Sequence, residues 1–173
     1  MFYSHVGCNK LVKNKEDYFR KCAQGRIRSY LRDAQSKLMD GNSSKLIEIF
    51  KRLLSSHKYF GCYFDRTDTC ADRICDKSGN FICEGKYNQP NCMDSHQINP
   101  YNNAESRIIF STWNLDHVFE RVNILTDLQR LNEDKDLVDQ FPKYYDLLFT
   151  RKNLKLVHKS CHIIAPHTNI EAD

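Results

Sequence analysis

Eight cysteines are spread unevenly over the 173 residues, and their placement limits the fold more than any other feature of the chain. Cys62, Cys70, Cys75, Cys83 and Cys92 crowd one stretch, Cys161 stands far downstream beside His162, and Cys8 and Cys22 lie near the start. The lysines at 10, 13 and 15 are not followed by a continuous apolar segment, so no secretory signal is expected. Without export, thiols serve as metal ligands or as packing, not as a disulfide framework. Cys83-x8-Cys92-x3-His96 offers three ligands at loose knuckle spacing, and Cys161 offers a fourth. Three thiolates and one imidazole make a closed tetrahedral shell, the form of a structural zinc site. His158 competes with His96 for the fourth place. His96 is favoured, because Cys92 and His96 come from one turn and His158 is then left as an outer hydrogen-bond donor. Cys62, Cys70 and Cys75 read as buried thiols.

With 40 % apolar and 12 % aromatic residues the chain can build a packed core, which argues against wholesale disorder. No apolar run approaches the roughly 18 residues of a membrane span, so no membrane role is expected. Net charge is +4, but residues 1–57 carry 12 Lys/Arg against 5 Asp/Glu and residues 58–173 carry 14 against 17. A basic segment joined to a mildly acidic remainder is compatible with nucleic acid without demonstrating it.

From Glu16 to Met39 the apolar residues fall close to a 3.6 period, which predicts helix, with Gly25 interrupting or bending it. Asp40 to Ser43 forms a stop and turn, with Ser43 or Ser44 as the next N-cap. Leu46, Ile47, Phe50, Leu53 and Leu54 make a second stripe. These helices must pack on the rest of the chain or on a second copy. Beyond Tyr59 the texture changes. Phe81 to Cys83 is a short strand candidate, and Arg107 to Trp113 is the best strand in the sequence. A helical insertion spans about Val118 to Phe149, with Pro142 near the start of its last helix, and Asn153 to Val157 is a strand or a first helical turn. The expected class is α+β: a small helical dimerisation segment, residues 1–57, and a second domain, residues 58–173.

Asp116-His117 at a strand end places an acid and an imidazole on opposite faces, one free for metal and the other for substrate. Asn153 through His162 reads like the second half of an HNH, or ββα-metal, nuclease finger, in which a strand leads through a metal knuckle into a His-bearing helix. Such fingers pair an Asp-His with an Asn and a final His, here Asp116, His117, Asn153 and His162.

Longer stretches carry a resemblance. His96-Gln97-Ile98-Asn99-Pro100-Tyr101, Glu105 through His117, and Leu147 through His162 resemble the caspase-activated DNase family, the catalytic subunits of DNA fragmentation factor. Tyr63-Phe64-Asp65-Arg66 and Arg26 through Arg32 match as well, so the resemblance runs from about Tyr18 to His167. It implies a homodimer whose helical segments pair and whose two catalytic domains form a scissor-like cleft for double-stranded chromosomal DNA during apoptosis. It also implies that His117 is the general base, Asp116 and His162 ligands of a catalytic Mg²⁺, and His167 a further active-site histidine. Cys83, Cys92, His96 and Cys161 resemble the structural Zn²⁺ set, and Tyr101, Asn153, Lys155 and His158 are supporting positions. The family opens with a ubiquitin-like CIDE-N domain that docks an inhibitor and chaperone, and it commonly ends in a basic tail. This chain is expected to lack both, and nucleus and cytoplasm are the expected locations. Ile163 and Ile164 stand where the family carries lysines.

The chemistry is coherent on the residues themselves. A neutral imidazole can take a proton from water, a carboxylate with an imidazole suits a magnesium that keeps most of its sites for water and phosphate, and lysines such as Lys152, Lys155 and Lys159 can meet phosphates. The rival reading is a non-catalytic zinc-knuckle module that binds nucleic acid or protein.

Overall fold

A computed structural model describes residues 12–38, 43–131 and 137–163. Helix α1 (Lys15–Lys37) starts at Asn14, whose side chain accepts a 2.8 Å hydrogen bond from the Asp17 N–H. Glu16 and Asp17 in its first turn suit the positive end of the helix. The helix runs unbroken through Gly25, which corrects the expected interruption. Gly25 is exposed, with nothing within 4 Å of where a Cβ would stand, so it costs only the propensity difference of about 1 kcal/mol. Burial of Phe19, Ala23, Ile27, Tyr30, Leu31 and Ala34 along one face outweighs that cost.

The face is covered from within the chain. The Phe19 ring lies 4.2 Å from Tyr101, 6.1 Å from Phe110 and 6.5 Å from Phe81. Helix α2 (Ser43–Ser56) buries Leu46, Ile47, Phe50 and Leu54, and Phe50 meets Phe149 at 5.4 Å and both Phe141 and Tyr145 at 6.0 Å. A kinked 3₁₀ segment, Lys58–Phe64, follows and buries Gly61, Tyr63 and Phe64. Residues on both sides of position 57 therefore share one core. Of the two expected ways to cover the apolar stripes of α1 and α2, the rest of the chain does so here. The turn expected at residues 40–42 lies outside the described residues.

Strands β1 (Phe81–Ile82) and β2 (Gln97–Ile98) pair antiparallel, with Phe81 opposite Ile98. The strand expected over Arg107 to Trp113 is helical instead: α3 (Ala104–Phe110) begins at Asn103, whose side chain accepts from the Ser106 N–H at 2.7 Å. The β-branched pair Ile108-Ile109 suggests a strand, but these side chains are 70 % and 52 % exposed, and of α3 Phe110 is the residue that enters the core. The extended segment follows it, as β3 (Asn114–His117). It pairs antiparallel with β4 (Leu154–Val157), Asp116 facing Lys155 and His117 facing Leu154.

Between β3 and β4 lie α4 (Arg121–Leu131) and α5 (Leu137–Phe149). Pro142 falls inside α5 rather than near its start, in a helix held by burial of Tyr144, Tyr145, Leu148 and Phe149. Glu84 ties the segment after β1 to β4: its N–H donates to Leu156 O at 2.9 Å, and its carboxylate accepts from the Leu156 N–H at 2.6 Å and pairs with Arg151. No helix among the described residues is long and apolar enough to cross a membrane.

Candidate metal centre and active site

The Glu84 bridge carries Cys83 across to the chain that follows β4. There the ligand atoms of Cys83, Cys92, His96 and Cys161 all lie within 4.8 Å of one another. Cys92 Sγ stands 3.7 Å from Cys161 Sγ and 3.2 Å from His96 Nδ1. A tetrahedron with metal–sulfur bonds of about 2.3 Å has edges of about 3.8 Å, so this spacing fits one ion. Gly85 makes the knuckle possible. Its φ is +77°, and a Cβ there would stand 2.4 Å from Asn91 O. Burial raises the Cys92 thiol, yet hydrogen bonds from the backbone and ring of His96 and from the Asp94 N–H prevail and hold it at about 6. It is thereby ready to ligate as thiolate. His158 stays outside the group. Its N–H donates to Cys83 Sγ at 3.2 Å, and its ring stacks on His96 at 4.1 Å and meets Trp113 edge-on at 5.5 Å.

Cys161 belongs to a short 3₁₀ turn, Lys159–Cys161, and His162 follows it in extended conformation. The helix expected to carry His162 is absent from the described residues, which end at Ile163; His167 and Ile164 lie outside them. With Cys161 turned into the cluster, His162 points the other way. Its Nε2 lies 3.3 Å from Asp116 Oδ1 at the mouth of a cleft of about 430 Å³. Arg26, Tyr30, Trp113, Asp116, His117 and His162 are among the residues lining that cleft. Burial raises the Asp116 carboxyl, against the opposing pull of His162.

His117 is buried, and its Nε2 lies 3.0 Å from Leu148 O. A carbonyl only accepts, so the proton sits on Nε2 and Nδ1 keeps its lone pair. Burial pushes the imidazole down to about 4, which leaves it neutral at neutral pH. The sequence gives no sign of what fixes this ring. Tyr30 of α1 meets it edge-on at 4.7 Å and donates its hydroxyl to Leu115 O, while Arg121 lies over the Tyr30 ring at 5.1 Å and pairs with Asp33 at 3.0 Å.

The supporting positions act on the scaffold. Asn153 is buried, accepts from the Phe119 N–H at 2.8 Å, and donates to Phe119 O and Leu147 O at 3.0 and 2.8 Å. It closes the base of the α4–α5 insertion instead of facing the cleft. Tyr101 packs under α1, with its hydroxyl on Phe64 O at 2.7 Å. Lys155 donates to Gln89 O at 2.5 Å and Lys86 O at 3.3 Å, bracing the knuckle loop.

Helices around two short antiparallel strands, one bearing Asp116-His117 and the other leading into Cys161-His162 beside a metal-competent Cys/His cluster, place the chain in the mixed helix-and-strand class of nuclease folds. Residues 4–173 match the family model described as DNA fragmentation factor 40 kDa, and the chain belongs to that family. It is 39 % identical over 170 residues to DNA fragmentation factor subunit beta of Rattus norvegicus, covering 93 % of this chain and 48 % of the rat protein. The same-named protein of Homo sapiens is 39 % identical over 169 residues, covering 93 % and 50 %. The chain thus spans about half the length of these relatives. The crystal structure of caspase-activated DNase superposes with a TM-score of 0.82 at 35 % identity, covering 96 % of this chain and 70 % of that one.

Proposed function

We propose that the chain is a metal-dependent endonuclease that hydrolyses double-stranded chromosomal DNA during apoptosis. The observation that carries this reading is the approach of His162 to Asp116 at the cleft that His117 also lines. Similarity to a protein named caspase-activated DNase supports it.

His117 is the general base: Nε2 is committed to Leu148 O, and Nδ1 accepts the proton of the attacking water. Asp116 and His162 are the residues that would hold a magnesium ion. One carboxylate oxygen and one imidazole nitrogen, both partly open to solvent, suit a hard cation that keeps water and phosphate in its remaining positions. Such an ion supplies charge stabilisation at phosphorus and at the leaving 3′ oxygen. Cys83, Cys92, His96 and Cys161 hold a structural zinc that fixes Cys161, and through it the direction of His162.

Phosphate contacts from basic residues supply most of the affinity for DNA. The relatives are named as subunits, which supports a partner subunit of the DNA fragmentation factor family that acts as inhibitor and chaperone, and nucleus and cytoplasm are the proposed locations. A supercoiled-plasmid assay with magnesium tests the proposal. Nicking and linearisation support it, and intact plasmid with folded, metal-loaded protein overturns it in favour of a non-catalytic binding module.

A further inference from the structure

Two buried side-chain polar atoms among the described residues have no hydrogen-bond partner: Arg26 Nη1 and Trp113 Nε1. Both residues line the cleft that holds Asp116, His117 and His162. Arg26 projects from α1 one turn before Tyr30, and its guanidinium carbon lies 4.9 Å from the Phe64 ring centre and 5.5 Å from that of Phe110. No described carboxylate pairs with it. The ionisable groups that act on it are Tyr30, Cys22 and Tyr18, two phenols and a thiol.

A guanidinium nitrogen withdrawn from water with no acceptor is costly, as is an indole N–H with no acceptor. Aromatic faces offset part of the first cost and none of the second. Both orphans border one cleft, and the shared remedy is an anion with several acceptor oxygens. An arginine fork suits phosphate geometry, and it stays charged where it stands. Asp116 and Glu120 line the cleft as well, so a free carboxylate ligand would meet like charge there. A phosphate held between Arg26 and a cation at Asp116 would not.

We infer that Arg26 and Trp113 form a phosphate-binding subsite of this cleft, which holds a phosphodiester of the DNA backbone so that it faces Asp116, His117 and His162. The inference rests on the nuclease reading and names the cation with which the cleft grips its substrate. Ile163, exposed beside His162 on the cleft wall, brings no charge. Arg26 brings one to the same cleft, out of a helix whose other work is to fill the core.

Trp113 is the single tryptophan of the chain, so its fluorescence reports directly on the subsite. Inorganic phosphate and dimethyl phosphate are titrated into the full chain at constant ionic strength with magnesium present, and then a short DNA duplex is added. The expected result is a saturable change in Trp113 emission with both small anions, competed by the duplex. Arg26→Met keeps apolar contact with Phe64 and Phe110 while removing the charge. It is expected to bind phosphate at least about tenfold more weakly and to melt no lower than the unaltered chain, whereas an arginine that only braced the core would lower the melting temperature when replaced. No saturable change in the unaltered chain, or equal binding by Arg26→Met, overturns the subsite. If Arg26→Met does not fold, the titration of the unaltered chain decides alone. An Arg26-dependent phosphate response in a chain that cuts no plasmid would refute the nuclease reading and leave the subsite standing. Plasmid cleavage with equal phosphate binding by both chains would do the reverse.

Discussion

Cys161 and His162 are adjacent in sequence yet serve different places: the Cys161 thiol joins the Cys/His cluster, while His162 Nε2 reaches to 3.3 Å from Asp116 Oδ1. A short 3₁₀ turn ending in an extended residue divides the two directions. Whatever fixes Cys161 therefore aims His162.

The first consequence concerns the cluster. Protein purified without chelator is expected to hold about one zinc per chain, and Cys161→Ser should lose it, melt at lower temperature and cleave DNA more slowly. Metal analysis and thermal denaturation of the two proteins check this. Full zinc in Cys161→Ser would count against the assigned ligands.

His162 contributes one ligand to a weakly held ion. His162→Ala should lose cleavage at low magnesium and regain part of it at high magnesium. Initial rates over a magnesium series measure the shift, and an activity deficit unchanged at every concentration would remove His162 from the cation.

Phe50 anchors α2 against α5, so Phe50→Ala should cost about 3–5 kcal/mol of folding stability in urea. A loss below about 1 kcal/mol would mean that α2 is covered by something other than this chain.

Tyr30 links α1 to the His117 ring. Burial pushes its phenol up to about 12 from the ordinary value of about 10, against weaker lowering by Arg121 and Arg26. The folded-state value is raised, so this contribution to stability is complete below pH 10 and is lost as pH climbs from about 10 to about 12. Tyr30→Phe should flatten the alkaline fall in that window and lower stability near pH 7 by about 1 kcal/mol, because the hydroxyl gives up Leu115 O. Denaturation followed from pH 7 to pH 12 compares the two, and identical alkaline curves would exclude Tyr30 from the transition.

The grouping of Cys83, Cys92, His96 and Cys161 is readable in the sequence because ligation imposes residue type and spacing, and both are visible in a string of letters. So is Asp116-His117, a pair of chemically distinct neighbours. Ile108-Ile109-Phe110 misleads, since β-branched residues suggest a strand wherever they cluster, while the Asn103 cap and the exposure of both isoleucines belong to a helix. The partners of α1 and α2 are hidden for another reason. Phe19 meets Phe81, Tyr101 and Phe110, and Phe50 meets Phe141, Tyr145 and Phe149, contacts that no local periodicity encodes. Arg26 passes for one more basic residue of a solvated helix until the cleft beside it is seen.

The most direct measurement is magnesium-dependent cleavage of supercoiled plasmid by the unaltered chain and by His117→Ala, with fold, zinc content and DNA affinity checked in both. The predicted result is cleavage by the unaltered chain and a fall of about 10²- to 10⁴-fold in the variant, the usual cost of losing a general base, with the other properties nearly unchanged. Equal cleavage by the two proteins would contradict the role of His117, and cleavage by neither would contradict the nuclease itself.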